Sequence, residues 1–380
     1  ESMKRFADWK CSIRHGPSSA SRRNFLSRIA AGAGATLFAG WSGALRAAAG
    51  SPRDDLVLVI SPHRIFKALD PGNEQTESWY FYLSILGREG AVFEPQGALF
   101  SLYASGRKMK TIRLSDRSTR ALMQPGEDID ETAPGKDGEE PLRELFYYRL
   151  GFREPVALEV DRVVCEFERG RPGGGHHEWR LDVPVSRYTP KTRLMFPFRG
   201  QGIVTAGAVN NGGHSNRSGQ FAVDAIGLTK MYAPQISAEE KNESYAGWRR
   251  DIIAPTEGLV IASRNDVPNQ PAPGSNDPAS FTMPDGSRAE TGNYVLINHG
   301  HSECSVLMHM DTGSVRVKKG DRVRQGQTIG QLGNSGDSFA PHLHYQLQSG
   351  PDLFDADGLP LEFANLNGVR MIKGAWFDAR

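Results

Sequence analysis

The chain has 380 residues, 38% hydrophobic and 23% charged, enough for two cores and too apolar for a fibrous, collagen-like or wholly disordered protein. Net charge is +1, but residues 1–49 hold eight Lys/Arg against two acids, which leaves the remainder at −5. A mildly acidic body argues against nucleic acid as a partner, because that contact rests on Lys and Arg neutralising phosphates. The 42 glycines and 23 prolines favour turns and short strands over long helices.

Residues 1–49 read as an export signal. Ser21-Arg22-Arg23-Asn24-Phe25-Leu26 is a paired-arginine string. An uncharged Ala/Gly-rich core, Ile29 to Leu45, follows, and Ala47-Ala48-Ala49 offers a small-residue cleavage site. A basic start, an apolar core and a small-residue exit mark an export peptide, and the paired arginines resemble the bacterial twin-arginine signal. That resemblance implies the twin-arginine translocation machinery as a partner, cleavage near Ala49 and a periplasmic, cell-envelope location. No run of eighteen strongly apolar, charge-free residues suggests an ordinary spanning helix.

Residues 50–190 are expected to form an N-terminal β domain of the sandwich kind. Leu56–Ile60, Trp79–Leu86 and Leu99–Tyr103 are strand-like, and Val156–Val160 and Trp179–Val185 alternate apolar and polar residues. Period-two alternation means one buried and one wet face. Glu127–Glu140, with seven acids, reads as an exposed loop. Gly173-Gly174-Gly175-His176-His177 reads as a solvated hairpin tip, since neighbouring strand residues point to opposite faces. No cluster able to do chemistry occurs here. Of the three cysteines, Cys11 lies in the leader. Cys165 and Cys304 are either two buried thiols or one bridge between domains; thiols are favoured because nothing local pairs them.

Residues 191–370 are expected to form a second β-rich domain, with 371–380 as a C-terminal tail. Strand-length segments are Ala254–Val260, Gly292–Gly300, Val315–Lys319, Asp321–Val323, Thr328–Leu332 and His342–Leu347. Val317–Gly330 reads as a hairpin with a glycine at each turn, and Pro268–Gly286 as a long rim loop. Pro341-His342-Leu343-His344-Tyr345 puts two imidazoles at i and i+2, on one face of a strand. His214 lies in a Gly-rich loop. Asp224 lies in the apolar strand Gln220–Ala225, and His309 in Val306–Met310. A carboxylate buried alone is costly. One zinc ion shared among these polar positions is the common solution, since catalytic zinc takes three His or Asp/Glu ligands.

The order His214…Asp224, His309, His342-Leu343-His344 resembles that of the lysostaphin-like zinc metallopeptidases that cut peptidoglycan peptides. The surrounding strings agree: Ala254-Pro255-Thr256-Glu257-Gly258, Asn298-His299-Gly300, Gly320-Asp321 to Gly330, and Gly333-Asn334-Ser335-Gly336. The resemblance covers about residues 195–350. It implies a mostly β fold, Zn2+ held by His214, Asp224 and His344, and His309 and His342 as catalytic residues that stabilise the tetrahedral intermediate and move the proton. Two departures stand out. Nine residues separate His214 from Asp224, where the common pattern has three, and Leu307-Met308 and Met310 replace the usual neighbours of the third histidine. His299 and His301 are reserve candidates, read as loop residues at a cleft edge.

The resemblance therefore implies a zinc metalloendopeptidase acting on stem or cross-link peptides of peptidoglycan. The alternatives are a non-catalytic regulator of another wall hydrolase and a zinc endopeptidase with a protein substrate. The N-terminal domain is expected to position or gate the site. The scissile bond and the oligomeric state are left open.

Overall fold

The computed structural model describes residues 48–49, 56–61, 64–70, 73–87, 93, 95–125, 143–170, 176–207, 214, 218–229, 241–353 and 356–380. The expected leader up to residue 47, the acidic stretch Glu127–Glu140 and the glycines of the His176 hairpin tip lie outside them. Backbone contacts divide the described chain between Tyr188 and Thr189.

Among the described residues the amino-terminal unit is almost entirely β. Its strands are β1 (Ala48–Ala49), β2 (Leu56–Ser61), β3 (Ile65–Asp70), β4 (Asn73–Gly87), β5 (Pro95–Ala104), β6 (Arg107–Leu114), β7 (Gln124–Pro125), β8 (Arg143–Pro155), β9 (Arg162–Gly170) and β10 (His176–Arg187), with one short helix, α1 (Asp116–Leu122). The hydrogen-bonded order is β1-β2-β4-β3-β10-β9-β5-β6, with β8 on β4 and β7 on β8. Among the described pairs of this unit only β3 and β10 run parallel. The length of β4 explains the branching: β8 lines one edge throughout, while β3 and β2 share the other. Side chains two apart in β2, β4, β5, β8, β9 and β10 enter one core built on Trp79, Phe81, Leu83, Phe100, Leu150, Phe167 and Leu181. Two halves of the sheet thus face each other across that core, as the expected sandwich requires. Cys165 and Cys304 are both free and buried.

One strand expectation fails here. Val156–Val160 is not a strand: β8 ends at Pro155, Val156–Leu158 is a 3-10 turn, and Glu159 takes a left-handed φ of 48°. Pro155 has no N–H to extend the ladder, yet Leu158 and Val160 still pack on the core. The alternation reported burial and not an extended backbone. Edge strand β6 escaped notice because its exposed run is mostly charged.

The carboxy-terminal unit contains β11 (Gly200–Ala206), β12 (Val223–Gly227), β13 (Asp251–Ile253), β14 (Gly258–Arg264), β15 (Asn293–Asn298), β16 (Cys304–Met310), β17 (Arg322–Val323), β18 (Thr328–Gln331), β19 (Leu343–Gln348), β20 (Gly358–Leu359) and β21 (Trp376–Ala379). The main sheet runs β17-β14-β15-β16-β19-β12-β11-β21, with β20 beside β19; β13 and β18 pair separately. All of its pairs are antiparallel. Strands β16 and β19 are central and buried at every position. Polar side chains on them must therefore be satisfied internally.

Four expectations are corrected. Val317–Gly330 is not a hairpin, because β17 pairs with β14 and β18 with β13; the turn glycines only redirect the chain between two sheets. Val315–Lys319 forms no strand. The strand around Asp224 begins at Val223, after a turn at 218–221. Residues 371–380 are no tail: β21 completes the sheet edge against β11, with Phe377 packed on Phe196.

Candidate metal centre

Three neighbouring strands bring the site together. Asp224 on β12 lies directly across the ladder from His344 on β19, and Met308 on β16 is His344's partner on the other side. Directly opposed residues present their side chains to the same face. The Asp224 carboxylate accordingly sits 3.0 Å from His344 Nδ1 through Oδ1 and 3.1 Å from His214 Nε2 through Oδ2. His342, two residues before His344, reaches the same face, its Nε2 3.6 Å from Asp224 Oδ1. One ligand atom each from His214, Asp224 and His344 lies within 4.8 Å of the others.

His309 needs a backbone irregularity to join them. It follows Met308, so a regular strand would turn it to the opposite face from His344. Its φ of +60° swings it back, and its ring comes to 4.7 Å from that of His342 and 5.8 Å from that of His344. A left-handed φ at a non-glycine residue costs of order 1 kcal/mol or more and persists only where the surroundings impose it. Here His309 N–H bonds to Thr291 O, and Nδ1 lies 2.8 Å from the carbonyl of Ser335.

The electrostatics follow from burial and from charge. Burial opposes ionisation of Asp224, but the facing His214 and His342, with the hydrogen-bond contacts to His214 and His344, outweigh it and hold the carboxyl well below the usual range. Burial pushes His309 well below the ordinary imidazole value, reinforced by His342 and His344. His309 is therefore neutral. Since a carbonyl only accepts, its proton is on Nδ1, donated to Ser335, and Nε2 carries the lone pair. His342 is held likewise, with Nδ1 2.8 Å from Ala340 O.

A buried polar lattice supports these two rings. Ser338 Oγ donates to Asn334 Oδ1, Asn334 Nδ2 to Asn242 Oδ1, Asn242 Nδ2 to Gln270 O, and Gln270 Nε2 to Gly336 O, all at 2.7–2.8 Å. Gly336, at φ +83°, passes so close to Gly292 that a Cβ would sit 2.3 Å from the Gly292 nitrogen. In the sequence Asn334, Ser335 and Gly336 stand out only as a matching string, and Asn242 and Gln270 do not stand out at all. Two lone amides in loops carry no periodic signal.

The reserve histidines lie elsewhere. His299 Nδ1 faces Glu257 O at 2.8 Å, Nε2 meets Ser305 Oγ at 2.7 Å, and Ser305 meets the Tyr345 hydroxyl at 2.7 Å. Tyr345 points to the face of β19 opposite His344, so this chain of bonds is structural. His301 sits in a turn at φ 53°.

His214, Asp224 and His344 fit a zinc ion. Two imidazole nitrogens and a carboxylate oxygen form the donor set that metal favours with three protein ligands, their atoms converge, and the other nitrogen of His344 is bonded to Gln346 Oε1 at 2.9 Å, as a ligating histidine requires.

Residues 245–356 match the sequence pattern of Peptidase family M23, a span that includes His309, His342 and His344 and begins after Asp224. Two relatives from Vibrio cholerae are similar to part of this chain. Peptidoglycan DD-endopeptidase ShyA is 46% identical over 56 residues, 15% of this chain and 13% of ShyA. Peptidoglycan DD-endopeptidase ShyC is 47% identical over 55 residues, 14% of this chain and 12% of ShyC. The match thus spans about an eighth of either relative's length. Among solved structures, a zinc containing peptidase from Vibrio cholerae aligns over 80% of this chain and 86% of that one, at 13% identity and a TM-score of 0.26. Over residues 245–356 this chain is thus similar to Peptidase family M23.

Proposed function

We propose that the protein is a zinc-dependent metalloendopeptidase that hydrolyses peptide bonds in the stem or cross-link peptides of peptidoglycan. The observation that carries this is the convergence of His214, Asp224 and His344 beside a second imidazole pair, His309 and His342, 4.7 Å apart. A purely structural metal site is closed by four protein ligands. The family of residues 245–356 and the names of the two relatives support the reaction and the substrate class.

Zinc, when bound, supplies Lewis acidity, lowering the pKa of water to about 7 and polarising the scissile carbonyl. The chain's own residues do the rest. Asp224, held ionised, and the two ligand imidazoles compose the seat. His309 presents its Nε2 lone pair to that space and His342 turns its Nε2 toward it, each ring holding Nδ1 against a backbone carbonyl. Either Nε2 can take the proton of the attacking water as the new C–O bond forms. Protonated, it donates to the oxyanion, or to the leaving nitrogen as the C–N bond breaks.

The reading extends to the cell. The paired Arg22-Arg23 supports export by the twin-arginine machinery, cleavage near Ala49 and action in the periplasm. The amino-terminal unit, in which no ligand-like cluster occurs among the described residues, serves to position or gate the site. The test is digestion of purified sacculi by the purified chain, with released muropeptides read by mass spectrometry. Cleaved cross-links that vanish with chelator and return with zinc are expected; intact sacculi under all three conditions would overturn the reading.

A further inference from the structure

One face of β19 carries a polar ladder. His344, Gln346 and Gln348 are two residues apart and project from the same face, with exposures of 6%, 1% and 0%. Buried amides are costly unless every polar group is paired, and here these side chains pair with one another. Gln348 Nε2 donates to the main-chain carbonyls of Gly350 and Asp352, at 2.7 and 2.8 Å. Carbonyls only accept, so that end of the Gln348 amide is nitrogen and its orientation is fixed. Gln348 Oε1 then accepts from Gln346 Nε2 at 2.5 Å, which turns Gln346 Oε1 toward His344 Nε2, 2.9 Å away. An amide oxygen only accepts, so His344 Nε2 carries a proton.

The consequence falls on the other nitrogen. With Nε2 protonated, Nδ1 of the neutral ring holds the lone pair. Nδ1 faces Asp224 Oδ1 at 3.0 Å. Either a second proton or a metal ion sits favourably between them, and in both cases Nε2 keeps its hydrogen. The loop that ends the ladder has a second attachment: Leu353 O accepts from Ser218 Oγ at 2.7 Å, and Ser218 lies in the segment joining His214 to Asp224. One loop thus ties down the His344 relay and the stretch between the other two candidate ligands.

The geometry points to Gln346 and Gln348 as positioning residues that keep the proton on His344 Nε2, so that Nδ1 is the nitrogen offered to the metal. This rests on the zinc reading above. The two amides touch no substrate; they act through His344.

The test has two readouts that mere packing would not move. In the full chain labelled with 15N-histidine, the His344 signal is assigned by its absence from His344→Gln. Its Nε2 is expected to show the shift of a protonated nitrogen, with and without zinc. Zinc affinity is measured by competition with a chromophoric chelator. Gln346→Met, which keeps the bulk but neither polar group, is expected to lose the protonated Nε2 signal and to weaken zinc about 10- to 100-fold. Gln346→Glu keeps an acceptor for His344 and is expected to restore both. Gln348→Met frees the Gln346 amide to turn over and is expected to shift both in the direction of Gln346→Met; it serves if Gln346→Met does not fold by circular dichroism. A bare Nε2 in the wild type, or wild-type zinc affinity in folded Gln346→Met or Gln348→Met, overturns the proposal. A wild type that binds no zinc overturns the metal reading instead, and the Nε2 signal of the metal-free protein still decides the relay.

Discussion

Asp224 and His344 face each other across the β12–β19 ladder, with Oδ1 3.0 Å from Nδ1. The pairing register alone sets this contact: a slip of one residue would send one of the two side chains to the other face. His214 completes the group from a loop, and His342 and His309 stand over it.

Removing a member of the trio should remove the metal. Asp224→Ala and His344→Ala are expected to fall from one zinc per chain to near zero by elemental analysis of purified protein, with the fold retained by circular dichroism. Stoichiometric zinc in His344→Ala would contradict the ligand assignment.

The two remaining histidines should separate from the ligands. His309→Ala and His342→Ala are expected to keep zinc and to lose turnover by about 10²- to 10⁴-fold, the range for a positioned acid or base. Comparing metal content with peptide hydrolysis checks this. Loss of zinc in either variant, together with retention in Asp224→Ala, would mean the roles are exchanged.

Asp224 and His309 stand out in the sequence as polar residues in apolar strands, and His342 and His344 as a His-x-His pair; His214, in a Gly-rich loop, takes its ligand role only from the resemblance. What makes them a site does not stand out. The φ of +60° at His309 has no signature in Leu307-Met308-His309-Met310. The Gln346 and Gln348 ladder looks like ordinary strand alternation. At Val156–Val160 the alternation was real but served a turn, and at Val317–Gly330 the two glycines marked a change of sheet and not a hairpin. Local pattern reports burial and bends; pairing partners are decided by tertiary contact.

The carboxy-terminal unit should lose stability in mild acid. Burial lowers the pKa of His299, against the opposing influence of the Glu257 carbonyl and Glu303. The native ring is then neutral where the unfolded ring, with a pKa of about 6.5, already binds a proton. Stability falls as pH drops through that value, and goes on falling to the folded pKa, with a slope of at most about 1.4 kcal/mol per pH unit from this group. Chemical denaturation between pH 7.5 and 5 checks this, with a shallower slope expected in His299→Gln. An unchanged slope would remove His299 as the cause.

A chain beginning at Thr189 should fold and keep intrinsic activity. The buried Glu303 carboxylate accepts the backbone N–H groups of Lys191 and Thr192 at 2.6 and 2.8 Å, so the start of this unit is anchored within it. Such a truncation is expected to bind zinc and hydrolyse a small peptide, with altered action on sacculi. A soluble, zinc-loaded truncation inert toward the small peptide would show that the amino-terminal unit completes the site.

Export should depend on the arginine pair. Replacing Arg22 and Arg23 by lysine keeps the charge but not the guanidinium geometry, and is expected to leave the precursor in the cytoplasm on fractionation. Normal periplasmic accumulation would refute this route.

The most direct measurement is anomalous diffraction at the zinc edge from crystals of the active, zinc-loaded protein. The account predicts a single strong peak within bonding distance of His214 Nε2, Asp224 and His344 Nδ1, and none at His299. A peak among other residues, or no peak in protein that still cleaves peptide, would contradict it.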